Sequence, residues 1–341
     1  MKTRKIIVDL DNTITIEDPN VPYENKDSND EVIDTLKNIP KEDILIFTAR
    51  NMRSFNGNLE KINTVTKPIA EEWLKKQKIQ YDEIIMGKPW CGEDGFYVDD
   101  KNLSIDEFNF RFAGPYSKYE VDVVIPFFNE EKNIASVHKN QTKLNALFNI
   151  NKYIYVNNGS IDKTSKMLNE LAAKDKKIEV VEINKNIGYG AGMKAGIKKS
   201  NARFIITNHA DGQFDAYTFF MTHLKDISSI NLNIIPERYN RGPLDSLNSF
   251  ILRLLISLIR MEKTYDFNGQ PKLIESNQIV DIDDYPDDFT FDFFLYKNVY
   301  KNFQALPIIQ KRREHGISSW SGSIVKRIKI FLGYIFEAFR R

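Results

Sequence analysis

The chain has 341 residues, 42% hydrophobic and 28% charged, a balance that excludes a disordered chain, a collagen-like fibre and a coiled-coil rod. Its 48 basic and 47 acidic side chains leave a formal charge of +1, without the basic excess of a general nucleic-acid binder. Cys91 is the single cysteine, which excludes an internal disulfide and fits a reducing compartment.

At roughly 100–200 residues per domain, the length suggests about two domains. The start is apolar only over Ile6–Val8, shorter than a secretory signal needs, so none is expected there. No run of 18 apolar residues marks a membrane span, and no fixed-period repeat is visible. Short apolar runs at Ile6–Val8, Ile44–Phe47, Ile84–Met86 and Phe96–Val98 read as buried parallel strands. Helical patterns at Asn29–Asn38 and Thr66–Gln77 separate them, which predicts an α/β unit over residues 1–108. Residues 109–120 lack periodicity, contain Gly114-Pro115 and read as a linker.

A second α/β series begins at Val121. Its strands are expected at Val121–Pro126, Tyr153–Val156, Ile178–Ile183 and Arg203–Thr207. Helices are expected at Glu131–Phe148, Lys163–Lys174 and Ala191–Ser200. This domain is taken as residues 121–322. Leu247–Arg260 is amphipathic, an acidic loop lies at Asp281–Asp288, and residues 323–341 form a basic amphipathic C-terminal helix.

Four motifs fall at strand ends in the first unit: Asp9-Leu10-Asp11-Asn12-Thr13, Thr48-Ala49-Arg50, Gly87-Lys88-Pro89 and Asp99-Asp100. Four carboxylates at one sheet edge repel each other unless a cation sits among them, and hard oxygen ligands favour Mg²⁺. An Asp attacks phosphorus to form an aspartyl-phosphate, and a second Asp transfers protons to the leaving oxygen and from water. The set resembles the haloacid dehalogenase (HAD) phosphohydrolases, and its Phe47-Thr48-Ala49-Arg50-Asn51 string is similar to small members in capsule and polysaccharide biosynthesis. The resemblance implies Asp9 as nucleophile, Asp11 as general acid/base, and Thr48 and Lys88 as phosphate-binding groups. It implies Mg²⁺ held by Asp9, Asp99 and the Asp11 backbone carbonyl, with Asp100 in support. About 100 residues leave little or no room for a cap, so an open Rossmann-like site is expected.

The second unit carries Pro126-Phe127-Phe128-Asn129-Glu130, Asn157-Asn158-Gly159-Ser160-Ile161-Asp162, Gly188-Tyr189-Gly190-Ala191-Gly192 and His209-Ala210-Asp211-Gly212-Gln213, each after a strand. Polar turns there suit a base and ribose, and the glycines suit close approach of a phosphate to a helix N-terminus. On an extended segment His209, Asp211 and Gln213 share one face as candidate metal ligands. Together these motifs resemble the inverting GT-A glycosyltransferases of family two, above all the dolichyl-phosphate mannose synthase-like branch. The resemblance runs from about Val121 to Trp320 and includes Arg238 to Gly242, Phe267 to Lys272, Asp288 to Asp292 and Arg313 to Trp320.

That resemblance implies a nucleotide-sugar site at Pro126, Asn129, Glu130, Asn158, Ser160, Asp162, Gly188, Gly190, Asp211, Arg238 and Lys272. It implies an acceptor side at Asp292, Arg313 and Trp320, and Mn²⁺ or Mg²⁺ at His209, Asp211 and Gln213. Two departures bear on activity: Asn157-Asn158 stand where the family usually has Asp-Asp, and His209 stands where it has Asp. Less negative charge weakens Mg²⁺ binding, and imidazole suits Mn²⁺ or another transition ion better. Metal-free nucleotide binding and a degenerate, non-catalytic scaffold domain stay open as alternatives.

The expectation is a bifunctional enzyme of cell-surface glycan assembly, with a Mg²⁺-dependent phosphatase and a sugar transferase. Its partners would be a phosphorylated sugar, a nucleotide sugar and a glycan or lipid-phosphate acceptor, with no nucleic acid and with homo-oligomerisation left open. A cytoplasmic place is expected, with peripheral contact at the inner membrane face through the basic tail.

Overall fold

A computed structural model describes residues 5–92, 97, 101–227, 233–239, 242–299, 302–313, 315 and 324–339. The chain divides into two units, Met1–Ser117 and Lys118–Arg341.

The first unit places β1 (Ile6–Val8), β2 (Ile44–Thr48) and β3 (Glu83–Met86) in a parallel sheet of that order. Its helices are α1 (Asp30–Leu36), the short turn α2 (Leu59–Lys61), α3 (Lys67–Lys76) and α4 (Ile105–Ala113). Asn29 caps α1 by accepting from the Val32 amide, and Pro68 enters α3 in its first turn, where a missing N–H costs nothing. Val32, Ile33 and Leu36 of α1, with Trp73 and Leu74 of α3, pack on Val8, Ile44, Ile46 and Ile84. The expected linker begins too early. Ser104 and Glu107 form a capping box that starts α4, and Phe108, Asn109 and Phe110 of this helix are buried. The Asn109 amide oxygen accepts from Thr35 Oγ1 at 2.7 Å, which ties α4 to α1. Most of the expected strand Phe96–Val98, and both Asp99 and Asp100, lie outside the described residues.

The second unit alternates β4 (Glu120–Phe127), α5 (Ile134–Thr142), β5 (Asn149–Asn158), α6 (Thr164–Lys174), β6 (Ile178–Ile183), α7 (Tyr189–Ile197), β7 (Phe204–Thr207) and α8 (Ala216–Thr222). Then follow β8 (Asn233–Tyr239), α9 (Pro243–Arg260), β9 (Lys272–Glu275), α10 (Phe291–Val299), β10 (Phe303–Ile309) and α11 (Ile324–Phe339). The sheet order is β10-β8-β9-β7-β4-β5-β6, parallel except at β9. β4 is central. Val121, Val123, Val124, Ile125 and Phe127 are fully buried, as a strand covered on both faces requires. Its one charged interior residue, Asp122, accepts from the Lys152 amide, Asn151 Nδ2 and Ser200 Oγ at 2.7–3.0 Å, so its burial is compensated.

Helices α9 and α11 pack against each other. They send Leu252, Ile256, Tyr334 and Ala338 into the core. Leu247, Phe250, Leu254 and Leu258 of α9, and Leu332, Phe336 and Phe339 of α11, stay exposed. Among the described residues no helix is long and apolar enough to cross a membrane.

Candidate functional sites

In the first unit three of the four motifs meet. Parallel pairing brings the carboxyl ends of β1, β2 and β3 to one sheet edge. Asp9 follows β1, and its Oδ1 accepts from the Leu10 amide at 2.8 Å. Its Oδ2 pairs with the Lys88 ammonium. Asp11 lies beyond, before a left-handed Asn12, and Thr48 Oγ1 donates to its Oδ2 at 3.2 Å. Arg50 Nε donates to Asp11 Oδ1 at 2.9 Å. The Lys88 amide donates to the Thr48 carbonyl at 3.0 Å, locking the second and third motifs together. Asp9, Asp11, Thr48 and Lys88 therefore form one cluster. Among the described residues no group of three or more His, Cys, Asp or Glu side chains converges as a metal site. The Asp9 carboxylate and Asp11 main-chain carbonyl are hard oxygen donors, the type Mg²⁺ prefers.

The second unit encloses a cavity of about 1150 Å³ at the carboxyl ends of β4, β5 and β7. Of the expected nucleotide-sugar residues, Pro126, Asn129, Glu130, Asn158, Gly188, Asp211 and Arg238 line it, as do Asp292 and Arg313 from the acceptor side. Trp320 lies outside the described residues.

Ser160, Asp162, Gly190 and Lys272 are not among the cavity's walls. Ser160 Oγ accepts from the Asn129 amide at 3.0 Å, and Asp162 accepts from the amides of Glu131 and Thr164 at 3.2 and 2.9 Å. These bonds fasten the loop after β5 to the loop after β4. Burial opposes ionisation of Asp162, but the hydrogen bonds prevail and hold its carboxyl below its ordinary value. Lys272 is fully buried with its Nζ 2.7 Å from Asp292 Oδ1, and burial pulls its ammonium below the ordinary lysine value.

The glycine string also admits close approach of the chain's own backbone. A Cβ on Gly188 would meet the Asp287 carbonyl at 2.2 Å, and one on Gly190 the Pro286 carbonyl at 2.2 Å. The Ala191 amide donates to the Asp287 carbonyl at 3.1 Å. The start of α7 is thus approached by the chain's own 286–288 backbone. Lys194 and Lys198 of α7 hold the same acidic loop through Asp287 and Asp283.

The metal trio also departs from the expected alternation. β7 ends at Thr207, and residues 208–213 are loop, with Gly212 at φ +72°. His209 Nε2 lies 3.1 Å from Tyr189 Oη, Asp211 Oδ1 accepts from the Gln213 amide at 3.1 Å, and Gln213 Nε2 donates to the Lys311 carbonyl at 3.1 Å. All three still border the cavity. One carboxylate, one amide oxygen and one imidazole are donors of the kinds a transition ion accepts. Burial lowers the His209 imidazole from its ordinary value, against the pull of Asp211 and Asp292, so the neutral form is favoured.

The amides at 157 and 158 have local reasons. Asn157 Nδ2 donates to Glu182 Oε2 at 2.6 Å, where a second carboxylate would repel. Asn158 Nδ2 donates to the Gly188 carbonyl at 2.8 Å, a bond an ionised Asp cannot make.

Several residues that build the cavity are absent from the expected site. Asp266 pairs with Arg238 through two nitrogens, at 2.6 and 2.8 Å. Gln270 bridges Thr207 and Tyr189, and Tyr334 Oη donates toward Asn268 and the Phe289 carbonyl. Tyr189 stacks on Phe289 at 5.7 Å between centroids. Tyr189 sits inside the glycine string, and Gln270 inside the segment from Phe267 to Lys272, so the sequence signals their neighbourhoods but not the residues themselves.

Residues 122–265 match the family model described as Glycosyl transferase family 2. The chain is 24% identical over 200 residues to dolichyl-phosphate beta-glucosyltransferase ALG5C of Trichomonas vaginalis, covering 53% of this chain and 59% of that protein. The chain spans between 40% and 59% of the length of the first curated relatives it matches. A crystal structure of glucosyl-3-phosphoglycerate synthase from Mycobacterium tuberculosis, with Mn²⁺, UDP and phosphoglyceric acid, shares the fold at 12% identity and TM-score 0.51, over 70% of this chain and 84% of that chain. The crystal structure of a target protein from Vibrio cholerae is 48% identical over 31% of this chain and 87% of that chain, at TM-score 0.30. Residues 122–265 are a glycosyl transferase family 2 domain on a GT-A-like α/β sheet.

Proposed function

We propose that the second unit transfers a sugar from a nucleotide-sugar donor to a lipid-phosphate or glycan acceptor. The observation that carries this is the cavity at the carboxyl ends of β4, β5 and β7, where Asn158, Asp211, Glu130 and Arg238 converge inside a family 2 domain. Loops after β4 and β5 offer Asn129, Glu130 and Asn158 to a nucleoside, and Arg238 and Arg313 supply positive charge for a diphosphate. A divalent ion at His209, Asp211 and Gln213 would offset the charge of the departing nucleoside diphosphate. Glu130 takes part in orienting Arg313, with which it pairs. Burial pushes its carboxyl above the ordinary value, against the pull of Asn133 and Arg313.

Similarity to a dolichyl-phosphate beta-glucosyltransferase supports a lipid-phosphate acceptor, and so do the exposed apolar faces of α9 and α11. Ile251, Leu252, Ile328, Phe331 and Leu332 from these helices also border the cavity. An apolar acceptor tail would rest there, with the helices lying in the surface of a membrane.

The test is a nucleotide-sugar panel by thermal shift, with and without Mn²⁺, on wild type and Asp211→Ala. Metal-dependent stabilisation by one donor, lost in the variant, is the expected result. Equal response of both proteins would remove the Asp211 site, and silence to every donor would favour the scaffold alternative.

The first unit carries a second activity in this reading, Mg²⁺-dependent hydrolysis of a phosphomonoester. It is supported by the cluster of Asp9, Asp11, Thr48 and Lys88 at one sheet edge. Asp9 attacks phosphorus, Asp11 handles the protons, and Thr48 and Lys88 hold phosphoryl oxygens. Release of phosphate from sugar phosphates by wild type is the check, and none under any metal would retire the reading.

A further inference from the structure

Arg50 ends the second motif of the first unit, yet phosphoryl binding and nucleophilic attack leave it without a part. It is a charged residue with only 2% exposure, and its side chain is fully buried. Two of its nitrogens, Nε and Nη2, converge on a single oxygen, Asp11 Oδ1. Its own amide donates to Thr48 Oγ1 at 3.1 Å, and that hydroxyl donates to Asp11 Oδ2. Both oxygens of Asp11 are therefore held, one by Arg50 and one by Thr48, while Asp9 is held separately by Lys88. The third nitrogen, Nη1, is buried without a hydrogen-bond partner among the described residues. A guanidinium kept for fold stability would be costly in this state.

The segment between β1 and α1 covers this pair. Thr15 and Ser28 form a bridge that closes the excursion. Inside it Lys26 is buried, pairs with Glu17 at 2.8 Å, and accepts from Trp73 Nε1 at its carbonyl. The excursion thereby sets the Tyr23 ring 4.4 Å from the Arg50 guanidinium carbon, within cation–π reach. The guanidinium is thus held at its edge by Asp11 and covered by the Tyr23 ring.

We propose that Arg50, roofed by Tyr23, is the positioning residue that aims the Asp11 carboxyl group at the leaving oxygen in phosphomonoester hydrolysis. The inference rests on the phosphatase reading of the first unit. In the first step a bond forms between Asp9 and phosphorus, the ester P–O bond breaks, and Asp11, having taken a proton on Oδ2 from solvent as the Thr48 hydroxyl turns from it, gives that proton to the departing oxygen. In the second step water adds to phosphorus, the bond to Asp9 breaks, and Asp11 takes the water proton as orthophosphate leaves. An alkoxide leaves slowly without that first proton, whereas p-nitrophenolate leaves without it.

The experiment compares hydrolysis of p-nitrophenyl phosphate and of glycerol 2-phosphate by the full chain with Mg²⁺. Arg50→Met is expected to lower kcat for the alkyl ester by about 100-fold, at least ten times more than for the aryl ester, with KM nearly constant. Arg50→Lys restores part of the alkyl rate. Tyr23→Leu, which leaves Arg50 in place, shifts the same ratio by about 5-fold and covers the case in which Arg50→Met does not fold. Equal losses on both esters, or an unmoved ratio in Tyr23→Leu and Arg50→Lys, would overturn the positioning role while the phosphatase stands. If wild type hydrolyses neither ester and matches Asp9→Asn, the phosphatase reading falls, and the role of Arg50 with it.

Discussion

The two sites handle charge in opposite ways. In the first unit Asp9 and Asp11 each keep more than a quarter of their side-chain surface exposed, and each faces its own cation. In the second unit the pairs Lys272–Asp292 and Arg238–Asp266 are at most one-tenth exposed and form a polar floor beneath the cavity. In the phosphatase reading the first arrangement would let Asp9 exchange Lys88 for an incoming phosphoryl group, while buried Arg50 keeps Asp11 in place. The second is a fixed frame, whose members are worth more as a set than as contacts with a ligand. The first pairs groups 79 and 39 residues apart, Lys88 with Asp9 and Arg50 with Asp11, each marked by a motif at a strand end. The frame pairs groups only 28 and 20 residues apart, Arg238 with Asp266 and Lys272 with Asp292, but no motif marks those pairings.

The comparison can be broken at either end. Asp9→Asn is expected to cut phosphate release by at least about 1000-fold while the fold is retained, because its carboxylate is partly exposed. Persisting hydrolysis would mean the exposed acids are not the reacting ones. Lys272→Met acts on the frame instead. It leaves Asp292 buried without its cation and should cost about 3–5 kcal/mol in denaturant unfolding of the second unit. A cost under about 1 kcal/mol would show that the floor is not a coupled structure.

Two smaller effects sharpen the picture. Leu258→Glu with Phe336→Glu alters only side chains on the exposed faces of α9 and α11, so stability should hold while binding to phosphatidylglycerol vesicles falls about 10-fold. Unchanged flotation would remove the membrane role of these faces. Deleting the tail is a poorer test, since Tyr334 and Ala338 are buried in the core. Asp162→Asn should cost about 1 kcal/mol through weakened acceptance from the Glu131 and Thr164 amides. Because the folded state lowers the Asp162 pKa, its contribution is present above the ordinary Asp value and fades as pH drops through the lowered one. The gap between wild type and variant should therefore close in acid, and a pH-independent gap would assign the loss to packing.

Much of the frame was legible along the chain. Ile178–Ile183 and the helix over 324–339 fall where apolar periodicity puts them, and β2, β5 and α3 differ from expectation mainly at their ends. Strand ends also marked Asp9, Asp11, Thr48 and Lys88, because a parallel sheet carries successive strand ends to one edge. The start of α4 is marked by the capping box of Ser104 and Glu107, but Gly114-Pro115 nearby reads as a break and obscures it. Local sequence thus determined which segments are strands and helices and which polar turns face a common edge, for those depend on neighbours a few residues apart. Tertiary structure alone decided that Gly188 and Gly190 receive the chain's own 286–288 backbone, that Asp292 answers Lys272, and that Arg50 closes on Asp11 beneath Tyr23. Those contacts arise from strand order and crossover, and neither has a signature within any one segment.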